Sequence, residues 1–156
     1  QKALLELFYS TGCRLEEVEQ MKKSDIDWQR LQIRVVGKGN KERVVYINAT
    51  CQVHLRKYLM SRLDECDAVF VTERRPYRGM GRRAIQREIK KIGEQSGLNK
   101  EVYPHLIRHT MATHLLNSGM SLNILQQILG HDDPSTTLVY AELDNVTVEN
   151  EYRKYS

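Results

Sequence analysis

The sequence predicts a mainly helical domain with one small antiparallel β-sheet, an α+β fold. Apolar residues recur at helical spacing over most of the chain, whereas β-branched runs cluster around one glycine-rich turn. The chain has 156 residues, 40% of them hydrophobic and 28% charged, which is typical of one compact domain with its own core. No apolar run approaches the ~20 residues that a membrane span needs.

The first third of the chain predicts two helices and a hairpin. The segment "QKALLELFYSTG" predicts a helix that Gly12 ends, and "RLEEVEQMKKSDIDW" predicts a short second helix. The segment "LQIRVVGKGNKERVVYIN" contains two β-rich runs around a Gly-Lys-Gly-Asn turn. Because glycine and asparagine tolerate positive φ, this pattern is a strong hairpin signal.

The remainder predicts mostly helices. "TCQVHLRKYLMSRLDE" has helical periodicity, "AVFVT" predicts a third strand, and a basic helix follows over residues 82–95. Pro104 suits the first turn of the next helix, Gly119 ends it, and Ser121 can cap "SLNILQQIL". Pro134 suits the start of a further helix, "PSTTLVYAEL", and the tail "NVTVENEYRKYS" is polar and weakly patterned.

Positive charge is concentrated in one segment, although the net charge is only +4. A single acid, Glu88, lies among the basic residues of this segment, which are Arg74, Arg75, Arg78, Arg82, Arg83, Arg87, Lys90 and Lys91. Such a segment is either a solvated helix face or a surface that attracts polyanions, nucleic acid first among them. The three scattered cysteines form no CxxC pair, which favours a reducing compartment over a disulfide framework or a zinc knuckle.

The segment "HLIRHTMATHLL", residues 105–116, carries three histidines and an arginine on a helix with a good apolar face. His105 and His109 are spaced as a helical zinc pair can be, but the glutamate of HExxH and a third ligand nearby are lacking. For His109 and His114 a structural role, packed at the edge of the core, is the better interpretation. His105 and Arg108 lie three apart at the helix N-terminus, where an anion such as phosphate is favoured.

Four ordered blocks decide between these interpretations. They are "TGCRLEEVEQMKKSDID" (11–27), "GKGNKERVVYI" (37–47), "HLIRHTMATHLL" (105–116) and "LGHDDPSTTLVYAEL" (129–143). Together they resemble the catalytic domain of the tyrosine recombinases, the phage-integrase and Xer-like family. The resemblance covers nearly the whole chain, and four blocks in one order make it specific.

The resemblance implies a phosphate clamp built from two arginines. Arg14, after Thr11-Gly12, would be the first and Arg108 the second, each a planar guanidinium able to donate paired hydrogen bonds to the scissile phosphate. Glu17 matches the acidic residue that braces the first arginine. His105 would be a general base or a hydrogen-bond partner near the nucleophile.

The resemblance also implies the nucleophile and the proton donor. Tyr140 would attack a DNA phosphate and form a 3′-phosphotyrosyl intermediate, and His131 would bind a non-bridging oxygen. Lys38, in the hairpin turn, would protonate the leaving 5′-oxygen. Lys41 lies three residues on, and Lys38 is favoured because it directly follows Gly37. This chemistry requires no cofactor, neither ATP nor a metal.

The resemblance implies double-stranded DNA with inverted core sites as the substrate, four protomers on two duplexes, and accessory directionality or bending proteins, in the cytoplasm and without a membrane. The predicted DNA contacts are Lys41, Arg43, Arg74, Arg75, Arg78, Arg82, Arg83 and Arg87. Residues 1–145 would form the catalytic domain, excised from a longer chain that carries an N-terminal DNA-binding domain. Residues 146–156 would form a tail that is exchanged between protomers.

Three other functions are open to this sequence. A non-catalytic helix-turn-helix-like DNA-binding module accounts for residues 121–143 but leaves Arg14, Lys38, His105 and Arg108 unexplained. A type IB topoisomerase would share the tyrosine chemistry, although the hairpin and the Leu-Gly-His block look more like recombinases. A metal-dependent nuclease is disfavoured because clustered carboxylates are lacking.

Overall fold

A computed structural model describes residues 2–98, 100–130 and 145–156, and over these residues the predicted α+β class is confirmed. The helices of this part of the chain are α1 (Lys2–Thr11), α2 (Leu15–Glu19), α3 (Ala49–Ser61), α4 (Arg82–Gln95), α5 (Pro104–Asn117), α6 (Leu122–Leu129) and α7 (Asn145–Tyr155). Within the same ranges, no helix is both long and apolar enough to cross a bilayer. The helix predicted after Pro134 lies outside the described residues.

The sheet contains the predicted hairpin. Its described strands are β1 (Ile26–Asp27), β2 (Gln32–Val36) and β3 (Glu42–Tyr46), antiparallel in that order. The turn between β2 and β3 is a short 3₁₀ segment, Lys38–Asn40, in which Gly39 and Asn40 have φ of 75° and 59°. Those left-handed residues are the ones that the Gly-Lys-Gly-Asn pattern supplies.

The prediction of a strand at "AVFVT" is wrong. Residues 68–72 make only isolated bridges, from Ala68 to Lys22 and from Val71 to Gly79. Val69 and Phe70 are buried in the core instead, so this apolar run anchors a loop between α3 and α4. The third strand of the sheet is β1, at the end of the block that begins with Thr11.

Helix α1 lies between the two parts of the core and packs on both α3 and α5. One cluster of buried side chains includes Phe8, Ile33 and Leu55, and the other includes Met111 and Ile128. Tyr9 packs against both clusters. Because α1 is held from both sides, its C-terminal end has a defined position beside α5 and α6.

The tail is more ordered than its composition predicts. Residues from Asn145 form α7, in which Val148 and Tyr152, four apart on one face, are buried. The Tyr152 hydroxyl donates to the Ser10 carbonyl (2.8 Å) and lies 3.0 Å from the Ser10 Oγ, and Arg153 donates to the Ile47 carbonyl (2.7 Å). The tail thus packs on its own domain, and exchange between protomers stays a prediction.

We expect Tyr152→Phe to lower the free energy of unfolding by about 1 kcal/mol, because it removes a buried hydrogen bond to the Ser10 carbonyl. Urea titration measures this loss. Tyr155→Phe is the matched control, since no hydrogen bond of its hydroxyl is seen among the described residues, and it should change stability by less than about 0.5 kcal/mol.

The same hydroxyl predicts a dependence on pH. Burial raises the pKa of Tyr152, so the folded protein holds this proton more tightly than the unfolded chain does. Its contribution to stability is complete below pH ~10 and declines at higher pH. Stability of Tyr152→Phe should therefore fall less steeply above that pH, and identical slopes would contradict the buried-hydroxyl assignment.

Candidate active site

Arg14 is presented by a tight turn between α1 and α2. Gly12, directly after α1, has φ of 67°, and a Cβ there would lie 2.7 Å from the Leu129 Cδ2. The left-handed backbone conformation favours glycine at this position, and the Leu129 side chain of α6 packs closely against it. Arg14 then precedes α2 with extended backbone, and its N–H donates to the Glu17 Oε1 (2.8 Å).

Arg108 lies on the buried face of α5 and is only 5% exposed. Its guanidinium donates to the carbonyls of Gly12 (2.5 Å) and Leu129 (2.8 Å), and so joins the ends of α1 and α6. Burial, together with the nearby charges of Arg14 and Arg43, lowers its pKa to about 10. The structure therefore gathers three guanidinium groups, which favours binding of an anion.

Glu17 is buried and supports this group. Its Oε2 forms an ion pair with Arg43, while its Oε1 accepts from the Arg14 backbone. The predicted bracing of Arg14 is thus made through the backbone of Arg14 and not through its guanidinium. Among the described residues, no carboxylate forms an ion pair with the Arg14 side chain.

Lys38 lies across a cleft from Arg14. The cleft has a volume of about 500 Å³ between α2 and the hairpin turn, and Arg14, Glu17, Lys38 and Arg82 are among its lining residues. Arg82 is held there by Glu19, whose Oε2 accepts from its Nε at 2.8 Å. The cleft is therefore lined by the exposed ammonium group of Lys38 and by Arg14 and Arg82. Its volume is sufficient for a phosphodiester.

The histidines of α5 differ in part from the prediction. His105 is exposed in the first turn of α5, one turn before Arg108. The prediction of packing at the core edge is wrong for His109, which is exposed; the His114 side chain is also exposed, but its ring lies 6.3 Å from the ring of Tyr9, which packs against the core. The buried face of α5 follows the i, i+3, i+4 spacing of Pro104, Ile107, Arg108, Met111 and Leu115, which leaves both histidines on other faces.

Two predicted site residues, His131 and Tyr140, lie outside the described residues. The chain is described up to Gly130, which ends α6 in the left-handed conformation (φ 68°). Arginines donate to the backbone carbonyls of the two residues before Gly130. Arg108 donates to the Leu129 carbonyl, and the Arg43 Nε donates to the Ile128 carbonyl (3.3 Å). The residue before His131 in the sequence is therefore held beside the arginines of the site.

The basic segment lies on the surface. Ile85 and Ile89 bury one face of α4, and Gly93 allows Val102 to pack against it, where a Cβ would lie 2.6 Å from the Val102 Cγ2. The exposed residues of α4 include Arg82, Arg83 and Arg87, and the preceding loop carries the exposed residues Arg74, Arg75 and Arg78. Among the described residues no group of three potential metal ligands converges.

Comparison with known proteins places this chain in a family. The profile of the phage integrase family matches residues 1–146. The chain belongs to the phage integrase family. Tyrosine recombinase XerC of Shewanella sp. (strain ANA-3) is 39% identical over 146 residues, which are 92% of this chain and 48% of the relative. Tyrosine recombinase XerD of Oceanobacillus iheyensis is 35% identical over an alignment of 161 residues, which covers 99% of this chain and 54% of the relative.

Solved structures confirm the fold. The crystal structure of XerA recombinase superposes with a TM-score of 0.77 at 35% identity, covering 97% of this chain and 56% of that one. XerH site-specific recombinase, bound to difH substrate in a pre-cleavage complex, superposes with a TM-score of 0.72 at 26% identity. The match covers 95% of this chain and 43% of that one. The chain spans about half the length of the curated relatives it matches. The resemblance predicted from the four sequence blocks is thereby confirmed.

We expect inorganic sulfate to raise the melting temperature above its value in chloride at equal ionic strength. Three guanidinium groups lie close together, and the buried Glu17 carboxylate forms an ion pair with the one of Arg43, so a bound anion relieves the remaining repulsion. At a concentration tenfold above the Kd the gain is about 1.4 kcal/mol, or roughly 3–6 °C.

The effect should be absent in Arg14→Gln and retained in Arg34→Gln, an exposed arginine of β2 that pairs with Asp25 and Glu42. Differential scanning fluorimetry measures both. An equal shift in Arg14→Gln would assign the stabilisation to general exclusion of sulfate from the protein surface.

Proposed function

We propose that this chain performs the cleavage and rejoining of DNA strands in a site-specific recombinase. The observation that carries the proposal is that Arg14 lines one cleft with Lys38 and also lies close enough to Arg108 for its charge to lower the Arg108 pKa, although the three residues come from separate sequence blocks. Membership of the phage integrase family supports the same reaction class.

The reaction begins when the Tyr140 hydroxyl oxygen attacks a DNA phosphorus. The P–O5′ bond breaks, leaving a 3′-phosphotyrosyl link and a free 5′-hydroxyl. A phenol is a weak nucleophile at neutral pH because its ordinary pKa is ~10. Two arginines stabilise the charge that builds on the non-bridging oxygens, together with His131. Lys38 supplies the proton to O5′, and His105 acts as the general base that takes the proton from the Tyr140 hydroxyl.

Strand exchange reverses this chemistry. A 5′-hydroxyl from a partner duplex attacks the phosphotyrosyl link, and Tyr140 leaves. The energy of the phosphodiester is kept in the protein–DNA ester, so the reaction needs neither ATP nor a metal ion.

The substrate in this proposal is double-stranded DNA with inverted core sites, bound in the cytoplasm. The exposed basic residues between Arg74 and Arg87 contact phosphates along the duplex, and Lys41 beside the turn adds a further contact. Four protomers act on two duplexes, and accessory directionality or bending proteins assist. Structures of XerH with difH substrate support binding of DNA by this fold.

A covalent-trapping assay tests the proposal. A pool of duplexes of randomised sequence, each with one nick, is incubated with the protein in EDTA and then denatured in detergent. We expect a DNA–protein adduct that Tyr140→Phe abolishes, although this variant binds the pool as tightly as the parent. Binding without an adduct would favour the non-catalytic DNA-binding module. Supercoil relaxation without strand exchange would indicate a type IB topoisomerase.

The tail has a second role in this proposal, exchange between neighbouring protomers in a cyclic assembly. Deletion from Val146 onward should impair assembly more than DNA affinity. Gel-shift titrations that resolve complexes by size measure both. Since α7 also packs on its own domain, the deletion is compared with Tyr152→Phe, which weakens that packing but keeps the tail. Equal loss of assembly and affinity would count against exchange.

A further inference from the structure

Arg43 forms a junction between three parts of the candidate active site. It belongs to β3, the second strand of the hairpin whose turn carries Lys38, and its register partner is the buried Val35. Its side chain is only 17% exposed. Its guanidinium therefore faces the interior of the domain, whereas the predicted role for this residue was a contact with DNA.

The first connection runs from Arg43 to the helix that presents Arg14. The Arg43 Nη1 forms an ion pair with the Glu17 Oε2, and the Glu17 Oε1 accepts from the Arg14 N–H at 2.8 Å. One buried carboxylate thus spans the hairpin and the start of α2. Gly37 lies over the same carboxylate, because a Cβ at this position would be 3.5 Å from the Glu17 Oε2.

The second connection runs to the end of α6. The Arg43 Nε donates to the Ile128 carbonyl at 3.3 Å. Gly130 packs directly on the same side chain, since a Cβ on Gly130 would lie 2.8 Å from the Arg43 Cδ and Nε. The end of α6, directly before His131 in the sequence, therefore packs against the Arg43 side chain and is hydrogen-bonded to it.

We infer that Arg43 is a positioning residue for strand cleavage: it sets the hairpin turn with Lys38, the start of α2 with Arg14, and the end of α6 in one relative arrangement. Arg108 joins α5 to the ends of α1 and α6 from the other side. This role rests on the proposed function, and it replaces the DNA contact predicted for Arg43.

The physical reason is that phosphoryl transfer depends strongly on distance. A displacement of about 1 Å by a residue remote from the reacting atoms can lower a rate about 100-fold. In the described part of the chain, the hairpin turn, the start of α2 and the end of α6 belong to separate elements, so their relative positions depend on contacts between side chains. A buried arginine with several donors in a rigid plane can hold a carboxylate and a carbonyl at the same time.

The test uses a nicked duplex that the wild-type protein cleaves and measures DNA affinity and single-turnover adduct formation separately. In Arg43→Gln we expect cleavage by the folded, DNA-saturated protein to fall about 100-fold. Affinity and its salt dependence should not change. Arg34→Gln is the matched control on the neighbouring strand, where the arginine is exposed and pairs with carboxylates on the surface.

A double-mutant cycle separates positioning from general loss of stability. Glu17→Gln should lower cleavage by a similar factor, and the double variant should also fall about 100-fold, not the roughly 10,000-fold of independent effects. Arg43→Lys retains a cation for Glu17 but lacks the planar guanidinium, so it should recover part of the rate. It also keeps the test informative if Arg43→Gln does not fold.

The outcomes separate this inference from the proposed function. Wild-type protein without a Tyr140-dependent adduct would overturn both. If the wild-type protein forms the adduct normally, any of three results would overturn the inference and leave the proposed function intact. These are unchanged cleavage in Arg43→Gln, weaker binding with a salt slope reduced by about 1, as a phosphate contact predicts, or independent effects of Glu17 and Arg43.

Discussion

Arg108→Gln is expected to lower single-turnover cleavage by about 100- to 1,000-fold, the usual effect of removing one donor to a developing oxyanion. Arg108 is buried, and two of its five N–H groups serve the carbonyls of Gly12 and Leu129. Its remaining donors are available to a phosphate. A planar guanidinium can do both at once, so Arg108→Lys, which keeps the charge, should also lose most of the activity.

The rate must be expressed per folded molecule, because the substitution also affects stability. It removes two hydrogen bonds from a charged donor, but it also removes a cation whose pKa is lowered by burial and by the neighbouring charges of Arg14 and Arg43.

Arg62→Gln is the matched control, since the Arg62 side chain is 6% exposed and donates to the carbonyls of Ala68 (2.7 Å) and Val69 (2.9 Å) away from the site. It should lower stability and leave cleavage per folded molecule unchanged. Equal losses of cleavage in the two variants would remove Arg108 from the mechanism.

Lys38→Ala is expected to lower cleavage about 100- to 10,000-fold on an ordinary duplex, as loss of a general acid does. The lysine is exposed at the hairpin turn and lines the cleft together with Arg14. A leaving oxygen needs its proton during bond breaking, whereas a leaving sulfur does not. A duplex with sulfur in place of the bridging 5′-oxygen should therefore restore most of the rate of Lys38→Ala.

The same substrate decides between the two lysines of the turn. Lys41→Ala should show no selective recovery with the sulfur leaving group, because its proposed role is contact with the DNA backbone. Recovery in Lys41→Ala and not in Lys38→Ala would exchange the two assignments. If neither variant recovers, a different group must protonate the leaving oxygen.

Local patterns were sufficient for most of the secondary structure. The hairpin follows from glycine and asparagine at left-handed turn positions, and α5 and α6 begin where Pro104 and the Ser121 cap predict. These signals depend on neighbours a few residues apart, which is why they can be read from the sequence. The family, too, could be identified from four blocks whose order alone is distinctive.

Predictions failed where packing decides the outcome. The apolar run at residues 68–72 is buried as a loop and not as a strand. The polar tail forms α7 because Val148 and Tyr152 are buried against the rest of the domain. His109 is exposed because the helical spacing of the buried face of α5 leaves it on another side, and the exposed His114 contacts the core edge through Tyr9. A histidine-rich helix could be recognised, but not the direction in which each of its polar side chains would point.

The sequence by itself determined the family, the turn that carries Lys38, and the spacing of His105 and Arg108. Only the tertiary structure decided which groups these side chains meet. Arg108 donates to a carbonyl 96 positions away, and Arg43 reaches partners 26 and 85 positions away. The reason is physical: turn and helix signals act through the backbone of adjacent residues, whereas a buried guanidinium takes its partners from whichever helix ends the core packing brings beside it.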